Sequence, residues 1–161
     1  MIRNPHAKNV NALGVAPLGR ALSFMRLLWA VAHGLESTSK RMLATLGVTG
    51  PQRLVLRLVG HHGSVSAGEL ARTLHIHPSS LTGMLRRLER AGLLRRQRDL
   101  VDRRRVVLTL TASGKRLNAR RQGTVEAIVE RALEAATTEQ VRAAERMLQL
   151  LAAAFDDGVE V

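Results

Sequence analysis

The sequence predicts a mainly α, α+β protein: a helix-turn-helix followed by a two-stranded wing, with long helices at both chain ends. Three observations predict it. Apolar residues recur at steps of three and four over most of the 161 residues, the signature of amphipathic helices. Between Leu93 and Leu110 the period switches to two, as strands require. Aromatics make up 2% of the chain, namely Phe24, Trp29 and Phe155, so the core must be Leu, Val, Ala and Ile, which suits helices. The length fits one domain, since domains typically hold ~100–150 residues.

Residues 1–16 are small or polar and aperiodic, and read as a flexible tail. From Pro17 to about Leu46 the residues Leu18, Leu22, Met25, Trp29, Ala32 and Leu35 form one stripe of a long helix, interrupted by Gly34. Gly47 closes it. Thr49-Gly-Pro-Gln52 opens the next helix with Pro in its first turn and a capping box. Leu54, Leu58 and Val55 or Val59 are its expected buried face. Ser66-Ala-Gly-Glu69 is a second capping box, starting a short helix through Leu74. After His75-Ile76-His77, Pro78 begins a further helix that Gly92 stops, which completes a helix-turn-helix. Leu93–Arg98 and Arg105–Leu110 read as strands, the second alternating Val106, Leu108 and Leu110 around a charged tip. Thr111 caps another long helix with Leu117, Val125, Ile128, Val129, Ala132 and Leu133 as its stripe. Thr137 or Thr138 starts the last, where Val141, Ala144, Leu148, Leu151 and Phe155 have coiled-coil spacing. The organisation is one intertwined domain: helices over residues 17–48 and 111–156 that are expected to dimerise, around a compact winged lobe over 49–110.

Charge sets the class of partner. The formal net charge is +12, from 25 basic residues against 13 acidic ones, which points to a polyanion. Residues 86–105 alone carry nine Arg against Glu89, Asp99 and Asp102. A surface built only for solubility mixes signs more evenly; phosphate binding favours such clustering. On the helix Pro78–Gly92, the residues Leu81, Met84, Leu85 and Leu88 face inward. Ser79, Gly83, Arg86 and Arg90 lie opposite, flanked by Ser80, Thr82 and Arg87. Short side chains there let the backbone approach base edges while Arg reaches guanine or phosphate in a major groove. The basic hairpin suits a neighbouring minor groove, with Arg95, Arg96 and Arg98 on its first strand expected mainly on phosphate.

Leu46-Gly-Val-Thr-Gly-Pro-Gln52, Ser66-Ala-Gly-Glu-Leu-Ala71, Ser80–Leu94 and above all Asp102-Arg-Arg104 followed by Leu108-Thr-Leu-Thr-Ala-Ser-Gly114 resemble the MarR family of transcriptional regulators over roughly residues 17–155. The resemblance implies a homodimeric winged helix-turn-helix protein on a pseudo-palindromic double-stranded DNA operator, in most cases as a repressor released by a small molecule. It implies that Asp102 holds the wing by pairing with Arg104, and that Arg103 or Arg104 enters the minor groove. One departure is Leu100, where the family commonly has Pro.

The effector expected from the resemblance is a small aromatic acid. Met25, Trp29 and His33 are candidate lining residues, with Arg53 or Arg57 as carboxylate partners; alternatively Met25 and Trp29 are plain core. The histidines lack the Cys or acidic cluster of a tetrahedral metal site, so neither metal nor cofactor is expected. No nucleophile is paired with a base, and Gly14–Gly19 has phosphate-loop spacing but Arg20-Ala21 where Lys and Ser/Thr are needed. An enzyme is therefore not expected. Zero Cys excludes disulfide frameworks and thiolate chemistry. No apolar run approaches the ~20 residues of a membrane span, and Arg20 and Arg26 interrupt the one stretch that resembles a leader; the expected location is the cytoplasm. An RNA-binding accessory protein is the alternative, disfavoured because the predicted hairpin has no aromatics on which bases stack. A peripheral membrane protein fits less well, since the basic cluster lies on a wing and not along an amphipathic face.

Overall fold

The computed structural model describes residues 18–99 and 102–157. In chain order they form α1 (Arg20–Leu46), α2 (Gly50–His62), α3 (Ala67–Leu74), α4 (Pro78–Arg90), β1 (Leu94–Arg98), β2 (Val106–Leu110), α5 (Ala112–Ala119), α6 (Val125–Glu134) and α7 (Thr138–Asp157). The expected tail, residues 14–17 of the glycine-spaced segment, and Leu100 lie outside the described residues. α1 runs unbroken through Gly34. Compact units divide the chain between Gly34 and Leu35, inside α1.

The helix starts are where local hydrogen bonding puts them. At α2 the Thr49 N–H donates to Gln52 Oε1 at 2.9 Å and the Gln52 N–H donates to Thr49 Oγ1; Ser66 and Glu69 make the same reciprocal pair at α3. Each box satisfies two donors that a helix N-terminus otherwise leaves bare. α7 is begun in the same way by Thr137 and Gln140.

One core joins α2, α3, α4 and the hairpin. Val55, Leu56 and Val59 meet Leu70, the α4 residues Leu81, Leu85 and Leu88, and Leu94, Leu108 and Leu110 of the strands. β1 and β2 are antiparallel, with Leu94 opposite Leu110, Arg96 opposite Leu108 and Arg98 opposite Val106. Val65 adds an isolated bridge to Leu108 that locks the hairpin to the loop before α3. Gly114 is fixed by packing: a Cβ there would stand 2.0 Å from the Leu93 carbonyl oxygen. Thr111 ties the same corner, its N–H donating to Leu93 O at 3.1 Å and its hydroxyl to Gly92 O at 2.6 Å.

Three expectations are corrected. The single helix expected after Thr111 is two, α5 and α6, separated at Arg120–Thr124. Arg120 turns extended, Gly123 takes a φ of +76° that favours glycine, and Thr124 caps α6. Leu54, expected in the core, is exposed, because the inward face of α2 is Val55, Leu56 and Val59. On β2, Val106 is exposed and Val107 buried; Val106 sits opposite Arg98 at the wing end of the ladder, beyond the helical core. The chain-end helices differ from the lobe, since neither α6 nor α7 has a buried residue among those described.

Candidate nucleic-acid interface

α4 owes its start to His77, which takes β-region angles and accepts the Ser79 N–H on Nδ1 at 3.3 Å. The same nitrogen lies 2.8 Å from the Ser79 hydroxyl. Pro78 follows in the first turn, where a missing N–H costs nothing. His75 ends α3 in the left-handed region at φ +49°. The two histidines thus terminate one helix and cap the next. Burial of Leu81, Leu85 and Leu88 to 1% exposure fixes the rotation of α4. Ser79, Ser80, Thr82, Arg86, Arg87 and Arg90 are then exposed, and Gly83 is half-buried. The Thr82 hydroxyl donates to Pro78 O at 2.8 Å, which leaves its oxygen lone pairs to accept from another partner.

The wing is built on carboxylates. The Asp102 N–H donates to Asp99 Oδ1 at 3.2 Å, and the Arg104 N–H donates to Asp102 Oδ1 at 3.0 Å. Asp102 therefore grips Arg104 by its backbone amide. That leaves Arg103 and Arg104 exposed. On β1, Arg98 is exposed, Arg96 donates to Glu89 Oε1 at 2.7 Å, and Arg95 donates to Thr109 Oγ1 at 3.3 Å. Sequence reasoning missed Arg105, which pairs with Glu69 and so ties the wing to the start of α3. The Ser66 backbone amide, then Arg105 and the Ser66 hydroxyl, hold the Glu69 carboxyl down at about 2. The same bond raises the Arg105 guanidinium above its ordinary range.

Arg53 is a correction. Its side chain is 1% exposed, and it donates to Glu126 Oε1 at 2.6 Å, Leu117 O at 2.5 Å, Asn118 O at 3.2 Å and Arg120 O. These carbonyls lie at and just past the end of α5, where the Arg120 N–H reaches Leu117 O at 3.1 Å and Arg53 supplies further donors to a helix end that is otherwise short of them. Arg53 thus caps the break between α5 and α6 from inside and is not placed to hold a ligand. Arg57 is looser, 3.4 Å from Asn118 O and 3.9 Å from Glu126. It borders an apolar cavity of about 770 Å³ lined by Leu35, Leu54, Leu74, Ile76, Met84 and Val129, among others. Met25, Trp29 and His33 are exposed on the first half of α1. Among the described residues no group of three or more His, Cys, Asp or Glu could hold a metal. No helix there is long and apolar enough to cross a membrane.

A helix-turn-helix with a cationic second helix, braced against a basic hairpin, defines a winged helix-turn-helix protein. Comparison with known proteins narrows this. A MarR family sequence model matches residues 48–106. The HTH-type transcriptional repressor Rv2887 of Mycobacterium tuberculosis is 35% identical over 136 residues, covering 84% of this chain and 94% of that one. The chain belongs to the MarR family. The crystal structure of the M. tuberculosis MarR family protein Rv2887 in complex with p-aminosalicylic acid matches with a TM-score of 0.52 and 34% identity, over 84% of this chain and 98% of that one. The reduced form of MarR from E. coli matches at 26% identity and a TM-score of 0.58, covering 85% and 97%. The S. aureus MepR–DNA complex, 19% identical, shares the fold at a TM-score of 0.66 over 82% and 97%.

Proposed function

We propose that this MarR family protein is a DNA-binding transcriptional regulator, a homodimeric repressor in the cytoplasm that reads a pseudo-palindromic operator and acts by binding, without catalysis. The observation that carries this reading is the outward face of α4, where exposed Ser79, Ser80, Thr82, Arg86, Arg87 and Arg90 stand above a fully buried leucine stripe. Ser79, Ser80, Thr82 and Arg86 contact base edges in the major groove. Arg98 neutralises phosphate, and Arg103 and Arg104 enter the minor groove, where narrow stretches attract Arg. Dimerisation is supported by apolar faces left open on α6 and α7: Ile128, Leu133, Leu148, Leu150 and Phe155 are all exposed.

A small aromatic acid releases the DNA. The cavity bordered by Arg57 supports this, because Leu74 and Ile76 come from the helix-turn-helix and Met84 from α4. An occupant there touches the reading helix directly, and any preference for one α4 placement becomes a change in DNA affinity. The relative Rv2887 crystallised in complex with an acid of this kind, p-aminosalicylic acid. Selection from random duplex DNA, followed by addition of p-aminosalicylate, tests the reading. The expected result is enrichment of one element that the acid releases. Equal retention of unrelated duplexes, or preference for RNA, contradicts it.

A further inference from the structure

A second cleft, of about 760 Å³, lies between α2, the wing strands and α5. Its chemistry is unlike that of the apolar cavity. Arg57, Arg95, Lys115 and Arg121 line it together with Asn118, and no carboxylate is among the lining residues. Elsewhere on this lobe the structural arginines meet an acid at hydrogen-bond distance, as Arg96 meets Glu89 and Arg105 meets Glu69. Here the balance is left positive. Arg95 has the Thr109 hydroxyl as its partner, and neither Arg95 nor Lys115 is in an ion pair among the described residues. Arg121 pairs with exposed Glu130, and Arg57 shares Glu126 at 3.9 Å with Arg53, which holds it at 2.6 Å. The floor is apolar, from buried Val59 and Leu110. Gly60 opens it: a Cβ there would lie 2.5 Å from Asn118 Nδ2 and 3.0 Å from Leu110 Cδ1. None of the lining residues belongs to α4.

We propose that this cleft binds a small anion of two or more charges, of the phosphate-ester or pyrophosphate class, apart from the α4 face and the wing tip. Cations gathered around one concavity repel each other until a counter-charge enters, and guanidinium forks match phosphate oxygens in pairs. The volume lies in the ~300–1,000 Å³ range of small-molecule sites. The anion site goes beyond the regulator reading and does not depend on it.

Isothermal titration of the full chain with pyrophosphate, at constant ionic strength set with NaCl, tests it without any operator. Wild type is expected to show one saturable site per chain. Lys115→Ala with Arg121→Ala is expected to weaken it at least tenfold, and Lys115→Gln alone severalfold; both sites are exposed, and circular dichroism checks that the fold is retained. Arg103→Ala with Arg104→Ala removes the same charge from the wing tip and is expected to change pyrophosphate affinity less than twofold. Absence of saturable binding, or equal loss in the wing-tip variant, overturns the proposal. So does a Lys115/Arg121 variant that loses anion-free duplex affinity as strongly as the wing-tip variant, since the cleft is then a seat for the DNA backbone.

Discussion

The lobe from α2 to β2 and the pair α6–α7 spend their apolar residues in opposite ways. In the lobe, Val55, Leu56, Leu81, Leu85, Leu88 and Leu108 are all within 1% of full burial, and among the described residues no buried side-chain polar atom lacks a partner. In α6 and α7, Leu148 is 60% exposed, Leu150 67% and Phe155 65%. A protomer closes its own core in the first region and leaves the second open. Contiguous open apolar faces on helices mark association surfaces. The lobe completes its core alone, whereas the helices leave apolar faces open, which the proposed homodimer would cover.

The largest effect is expected where the open region is attacked. Leu148→Asp with Leu151→Asp puts charge into a seam that a two-fold axis uses twice, and each leucine removed from a buried pair costs ~2–5 kcal/mol. Sedimentation should show the dimer dissociated or the chain unfolded, while lobe variants sediment as wild type. A wild type that is monomeric at micromolar concentration breaks the comparison.

Next in size is Arg53→Met. Removing one partner of a buried charge network costs ~3–5 kcal/mol, because Glu126 and the α5 carbonyls lose their donor. Urea denaturation should register that loss. Gly114→Ala, which forces a Cβ against Leu93 O, should cost ~1–3 kcal/mol by the overpacking rule. Equal stability in either variant contradicts the geometry.

The residues proposed to face DNA sharpen the account without touching stability. Arg86→Ala should relax base preference by ~1–3 kcal/mol at one position. Arg98→Ala should weaken all duplexes alike and flatten the salt slope by ~0.9. Asp102→Ala removes a negative charge, so electrostatics alone predicts tighter binding; loss of its bond to the Arg104 amide predicts weaker operator binding. Tighter binding to both operator and random duplex would sink the wing assignment.

The smallest effect concerns acid. Glu69 is held near 2 against an ordinary 4.5. A depressed carboxyl contributes above its unfolded value and loses that contribution as pH falls toward the folded one. The Glu69–Arg105 tie should therefore weaken only between about pH 4.5 and 2, and NMR titration of Glu69 in Arg105→Ala should move its midpoint upward.

What is legible in the sequence is local. The capping boxes at Thr49 and Ser66, Pro78 at the start of α4 and the leucine stripe beneath it are all signals within four residues. Arg53 escapes such reading because its partners lie 64 to 73 positions away, and an Arg inside a helical segment says nothing of what it meets. Arg105 looks like plain wing charge for the same reason, its partner Glu69 being 36 positions distant. The break between α5 and α6 does have a sign: Gly123-Thr124 is a stop followed by a cap, masked by the apolar stripe running past it.

The central claim is that two copies of the lobe, set in register by the helices, read one duplex. A hydroxyl-radical footprint on the selected element tests it most directly. The account predicts two equal protected half-sites about one helical turn or a multiple apart, related by two-fold symmetry, each with minor-groove protection that Arg103→Ala and Arg104→Ala remove together. A single asymmetric footprint, or one unchanged by those substitutions, would contradict it.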